Sequence, residues 1–137
     1  SKVNPQLQPL RSDGPDDAQL RMLVQGWLDS KALALQGQPS QLPVVARQRL
    51  IDRVDQQREA DVAAGNTTVV KAAVTSLEVV SRTPRRIELK AQVAYSDSTT
   101  DQSGTVVDRT DPTSLTITYI LGRDGDQWKL TAYIPQG

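Results

Sequence analysis

Asp97, Asp101, Asp108 and Asp111 stand within one polar stretch from Ser96 to Pro112. Carboxylates gathered this way could act as an acid–base pair or hold a metal. No apolar run surrounds them to raise a pKa, so a solvated connection is the better reading. Gly122-Arg123-Asp124-Gly125-Asp126 has the acidic look of a calcium loop. It lacks the alternating acids and the distant Glu that an oxygen cage needs, and reads as a turn. With no His and no Cys anywhere, the commonest general base and the best thiol nucleophile are missing. A serine nucleophile would need a lysine base. Lys2, Lys31, Lys71, Lys90 and Lys129 show no Ser-x-x-Lys spacing, and the adjacent Ser30 and Lys31 point to different helix faces. Arg82, Arg85 and Arg86 form one local basic cluster that could meet a carboxylate. The inventory points to binding rather than catalysis, with no cofactor or metal expected.

Composition narrows the partners. The 137 residues make one domain's worth of chain, and 16 basic residues balance 16 acidic ones. A neutral chain has no overall field to draw in nucleic acid or an anionic membrane, so neither is expected as a partner. No stretch approaches the roughly 18 apolar residues of a membrane span, and no charged-then-apolar leader is visible. Aromatics are 4% and Phe is absent, so Val, Leu, Ile and Ala must build the core. Trp27, Tyr95, Tyr119, Trp128 and Tyr133 therefore stand out.

The elements that must position these residues follow from periodicity. Ser1 to Pro15 carries Pro5, Pro9, Gly14 and Pro15 with no repeating apolar position, and residues 1–15 read as a flexible linker before a single domain at 16–137. Asp16 or Asp17 is a suitable N-cap for a helix whose stripe is Leu20, Leu23, Val24, Trp27, Leu28, Lys31 and Leu35. Gly37 and Pro39 end it. A second helical region opens at Ser40-Gln41-Leu42-Pro43 and runs to Gly65, with Val44, Val45, Leu50, Ile51, Val54 and Val62 on its apolar side. Arg47, Arg49, Arg53 and Arg58 alternate there with Asp52, Asp55, Glu59 and Asp61, as on a wet face with spaced ion pairs.

After Gly65-Asn66 the period becomes two. Val70, Ala72 and Val74 face one way, and the slip to Leu77 and Val79 predicts a bulge in a long bent strand. Ile87, Leu89, Ala91, Val93 and Tyr95 make a half-buried second strand; Leu115, Ile117, Tyr119 and Leu121 a third; and Trp128, Leu130, Ala132 and Ile134 a fourth after Asp124-Gly125. Ser96 to Pro112 is expected to be a long polar connection. Helices first and a meander afterwards give an α+β domain, its helices covering one face of a curved antiparallel sheet of about four strands. Trp27 and Trp128 are expected in one core. If the sheet curves away from the helices, Tyr95 and Tyr119 wall a cone-shaped pocket with Arg85 or Arg86 at its rim.

Leu23-Val24-Gln25-Gly26-Trp27-Leu28-Asp29-Ser30-Lys31-Ala32-Leu33-Ala34-Leu35, Leu77-Glu78-Val79-Val80, Thr116-Ile117-Thr118-Tyr119-Ile120-Leu121 and Gln127-Trp128-Lys129-Leu130 together resemble the IMS domain. That is the C-terminal domain of the plastid-division "accumulation and replication of chloroplasts" proteins and of cyanobacterial ZipN. The resemblance implies a non-enzymatic NTF2-like domain of a cell- or plastid-division scaffold, tethered by a transmembrane helix upstream while the domain itself does not touch the membrane. It implies a place in the plastid intermembrane space or the cyanobacterial periplasm. The implied partner is another division protein. If the cone forms, Tyr95 and Tyr119 on its walls and Arg85 and Arg86 at its rim are the expected partner-binding residues, and a short C-terminal peptide of that protein is the expected ligand. An NTF2-like small-molecule binder or enzyme is the alternative from another class, and a structural spacer with a filled cone is a third.

Overall fold

The computed structural model describes residues 6–136. Helix α1 spans Asp17–Leu35, and its N-terminus is closed by a reciprocal box: the Asp16 carboxylate accepts from the Gln19 N–H, and the Gln19 side chain accepts from the Asp16 N–H. Gly37, at φ 74°, ends α1 in the left-handed conformation that a side chain would disfavour, and Gly65 at φ 74° does the same for the later helix. The expected second helical region is divided. Pro43 lies inside a single turn, α2 (Leu42–Val45), the chain extends at Ala46, and α3 (Gln48–Ala64) begins afresh. Leu50, Ile51 and Val54 bury its face, whereas Val62, expected on that face, is exposed. Two of the arginines expected in ion pairs along α3 reach other elements instead: Arg47 grips Asp124 with two nitrogens, and Arg58 donates to the Leu35 carbonyl at the end of α1.

Four antiparallel strands follow in the order β1 (Thr67–Arg82), β2 (Arg86–Thr100), β3 (Val106–Asp124) and β4 (Gln127–Gln136). The domain is an α+β fold with its helices on one sheet face. The predicted slip in β1 is present as register shifts between Val74 and Ser76 and between Val79 and Ser81. Ser96–Pro112 corrects the expectation of a long connection. Its ends extend β2 and β3 into a hairpin closed by the turn at residues 101–105, and the pairing carries on through register shifts between Tyr95 and Asp97 and between Thr99 and Thr100, with Thr99 opposite Asp108 and Thr100 opposite Val106. Its β3 side is exposed and its β2 side, half-buried, is polar, so no apolar alternation announces it; the backbone ladder and polar contacts such as Thr99 to the buried Thr68 hold it together.

Trp27 and Trp128 are buried in one core with Leu20, Val24, Leu35, Leu50, Ile87, Leu89, Leu121 and Leu130, as their positions in apolar alternations require. The chain before α1 also differs from the linker expectation. Residues 1–5 lie outside the described residues, but Leu7, Leu10 and Pro15 are at least partly buried. Leu7 packs where Gly26 of α1 leaves room: a Cβ there would stand 3.3 Å from a Leu7 methyl carbon. The Leu10 carbonyl accepts from the Trp128 N–H at 2.8 Å, and the Ser12 carbonyl accepts from the Trp128 indole N–H at 2.8 Å. This strap has no period because its partners, not its own sequence, fix it.

Candidate functional site

Two concavities flank α1. The larger, of about 740 Å³, lies between the strap, α1 and α2, and is bordered by Leu7, Leu10, Met22, Leu33 and Val44. It is the bed in which Leu7 already sits against Gly26 and Val45. The smaller, of about 490 Å³, opens between Leu28, Asp29 and Ala32 of α1 and the sheet. Val70 and Ala72 of β1, Tyr95 of β2 and Thr113 of β3 line it. Size alone would favour the first. The second holds a residue singled out by the sequence and joins apolar walls to a polar handle, the combination that small sites use for orientation.

Tyr95 continues the helix-facing row of Ile87, Leu89, Ala91 and Val93, but at the row's end it is only half covered. Its hydroxyl donates to Asp97 Oδ2 at 2.6 Å. Burial, then this bond and the negative charge behind it, push the phenol pKa well above its ordinary value, so Tyr95 remains a neutral donor. Tyr119 is placed differently from the expectation of a pocket wall. It is 1% exposed, sealed beneath the helices, and burial drives its pKa upward too. Its ring lies 6.4 Å from Tyr133, which in turn lies 5.8 Å from Trp27, so the upper part of the expected cone is filled by the domain's own aromatics. Lys31, read from sequence as part of the α1 stripe and set aside as a base for Ser30, holds its ammonium 5.8 Å from the Trp27 ring and 5.5 Å from Tyr133. That arrangement supports a cation without a carboxylate. No motif signals it, because Tyr133 comes from the last strand.

Arg85 and Arg86 do not share a site with Tyr95. They stand at the β1–β2 turn, where Arg86 is opposite Gly122, and Tyr95 is nine positions along the same strand, about 30 Å away at strand rise. Two arginines of the basic cluster also face the chain's own acids: Arg86 pairs with Glu88 at 3.3 Å and Arg82 approaches Asp17 at 4.0 Å. The aspartates of the polar stretch serve structure: Asp97 accepts from the Tyr95 hydroxyl and the Thr110 N–H, and Asp101 accepts from Ser103 and Thr105 in the hairpin turn. Among the described residues no group of three or more acidic side chains is arranged to hold a metal. None of the described helices is long and apolar enough to cross a membrane.

This architecture can be set beside known proteins. The family model described as "ARC6-like, IMS domain" matches residues 21–131, from the first turns of α1 to the middle of β4. The chain belongs to the ARC6-like IMS domain family. Membership makes it a domain of the plastid- and cell-division class, as the resemblance of its α1 and closing strands implied. The crystal structure of the intermembrane space region of chloroplast protein ARC6 is similar in fold, with a TM-score of 0.71 and 20% identity over 90% of this chain and 98% of that one. No curated protein matches the sequence. The ARC6-like match excludes the strap, yet the strap completes the edge of β4 that the family region leaves at Trp128.

Proposed function

We propose that this IMS domain is a non-catalytic recruiting module of a membrane-anchored division scaffold, and that the cleft beside Tyr95 receives the C-terminal peptide of another division protein. Family membership supports the scaffold; the open cleft between α1 and the sheet is the observation that carries the binding reading. Leu28, Ala32, Val70 and Ala72 give an extended peptide apolar contact, while Tyr95 offers its hydroxyl edge. Lys31, on the same turns of α1 as Leu28 and Ala32 but held over Trp27 and Tyr133 outside the cleft's lining, takes the role of carboxylate receptor that Arg85 and Arg86, at the far end of the sheet, cannot share with Tyr95. Tyr119 acts through packing. The domain then works in the intermembrane space or on the periplasmic side, held by a membrane span upstream.

The test uses C-terminal peptides of division proteins from the same cell, each as free acid and as amide, with binding read by fluorescence anisotropy. Tyr95→Ala and Lys31→Glu should each weaken a binding peptide at least about tenfold, the loss of one charge-assisted bond. Arg86→Glu should leave it unchanged. Equal binding of acid and amide, or loss only in the Arg86 variant, would refute the site.

A further inference from the structure

Strand β1 is an outer strand of the sheet, and α1 answers only part of its free backbone edge. The Gln25 amide donates to the Ala72 carbonyl at 3.0 Å and accepts from the Val74 N–H at 2.9 Å, and the Arg21 guanidinium donates to the Val74 carbonyl. These bonds fix the alternation. Ala72 and Val74 turn their main-chain groups away from β2, and so does Val70, because the pairing runs without a shift from Thr67 opposite Thr100 to Val74 opposite Val93. A side-chain amide is chemically a peptide group, so Gln25 stands where one unit of a neighbouring strand would stand. Arg21, Gln25 and Asp29 follow at four-residue spacing on α1, but Asp29 bonds back to Gln25 instead of to β1. Among the described residues nothing answers the Val70 N–H, the Val70 carbonyl or the Ala72 N–H on this side. Val70 and Ala72 both border the cleft beside Tyr95.

We propose that the peptide received by this cleft adds a strand to β1: the residues before its C-terminus bond through their main chain to Val70 and Ala72, and the last ones enter the cleft. This mode rests on the reading of the cleft as a peptide site and states how the peptide is held. Successive unanswered main-chain groups along an edge are matched by an extended chain, whereas a helix spends its own groups internally. Asp29, exposed at the cleft, gives one oxygen to Gln25 and meets no cation of the chain among the described residues, so the added segment carries a Lys or Arg beside it. Thr68, the next outward residue, is buried with its hydroxyl bonded to Asp61 and Thr99. The added ladder is therefore short, and the cleft supplies the rest of the affinity.

The probe is a C-terminal peptide of a division protein from the same cell, N-methylated at one main-chain nitrogen at a time, with binding read by fluorescence anisotropy. Methylation at alternate residues before the terminus should weaken binding at least about tenfold, and methylation at the residues between should leave it within about threefold. At saturation, hydrogen exchange should slow at the Val70 and Ala72 amides and stay unchanged at Val74, already held by Gln25. Ala72→Pro removes the outward N–H without taking a bond from β2, and in a variant shown to be folded by circular dichroism it should weaken binding about tenfold. If that variant does not fold, the methylation scan decides. Asp29→Asn should weaken a peptide with a basic residue in this segment by about threefold. A peptide that binds with no alternation in the scan and no slowing at Val70 and Ala72, or a folded Ala72→Pro with unchanged affinity, would overturn the added strand and leave the cleft as a peptide site. A set of peptides of which none binds would overturn both.

Discussion

Removing the Gln25 amide should loosen the sheet from α1 at one defined place. Gln25→Ala deletes the acceptor for the Val74 N–H and the donor for the Ala72 carbonyl, both at a partly buried edge beside the β1 bulge, together with the Asp29 bond on the helix. Each of the two edge bonds contributes about 0.5–1.5 kcal/mol net, since water can reach part of this edge. Alanine returns a few tenths of a kcal/mol as the better helix former. The expected loss is about 1–2 kcal/mol. In a urea titration followed by the fluorescence of Trp27 and Trp128, that loss moves the midpoint down by about 0.5–1 M at an ordinary slope, with the slope unchanged. Hydrogen exchange localises it: the Val74 amide should speed up selectively, while the Leu89 and Leu121 amides change only with global stability. An unmoved midpoint with Val74 still protected would show that Gln25 does not hold the edge.

Other substitutions follow from the same geometry. Trp128→Ala removes a fully buried ring and the indole donor to the Ser12 carbonyl, and should cost about 3–5 kcal/mol; an almost unchanged melting curve would contradict its place in the core. Gly122→Ala drives a Cβ into the Arg47 guanidinium and to 2.9 Å from a Thr131 methyl, so it should cost about 1–3 kcal/mol and release the Arg47–Asp124 pair, visible as greater exchange at the β3–β4 turn. Ser103's hydroxyl, helped by the Thr105 N–H, holds the Asp101 pKa below its ordinary value. The turn's contribution is therefore complete above the unfolded carboxylate pKa and is lost as pH falls through the lower folded value. Amide shifts of Ser103 and Thr105 should titrate below the ordinary carboxylate range; a midpoint at or above it would refute the assignment.

Much of the architecture is written in local periodicity. The α1 stripe with its Asp16 cap, the β1 slip after Val74 and the Ile87–Tyr95 alternation each state an element and its buried face. What escaped reading depends on distant partners. Leu7 and Leu10 are isolated apolar residues among prolines, and only Gly26 and Trp128 give them somewhere to pack. The hairpin of residues 96–112 is built from polar side chains, exposed on β3 and half-buried on β2, so its sequence imitates a loop. At the candidate site the sequence identified Tyr95 as an aromatic at the end of an apolar row. It could not show that Tyr119, on the neighbouring strand, would be sealed by Tyr133 and Trp27, nor that Lys31 would lie over their rings. Arg85, Arg86 and Tyr95 belong to one short stretch of sequence, but an extended strand carries them to opposite ends of the sheet.

The recruiting role of the Tyr95 cleft is tested most directly by mapping a bound peptide on the folded domain. In a titration of the isotope-labelled chain with the free-acid C-terminal peptide of a division partner, the account predicts amide and methyl shifts centred on Leu28, Ala32, Val70, Ala72 and Tyr95, with the amidated peptide binding more weakly. Shifts centred on Arg85 and Arg86, or in the bed of the strap around Leu7 and Met22, would contradict it.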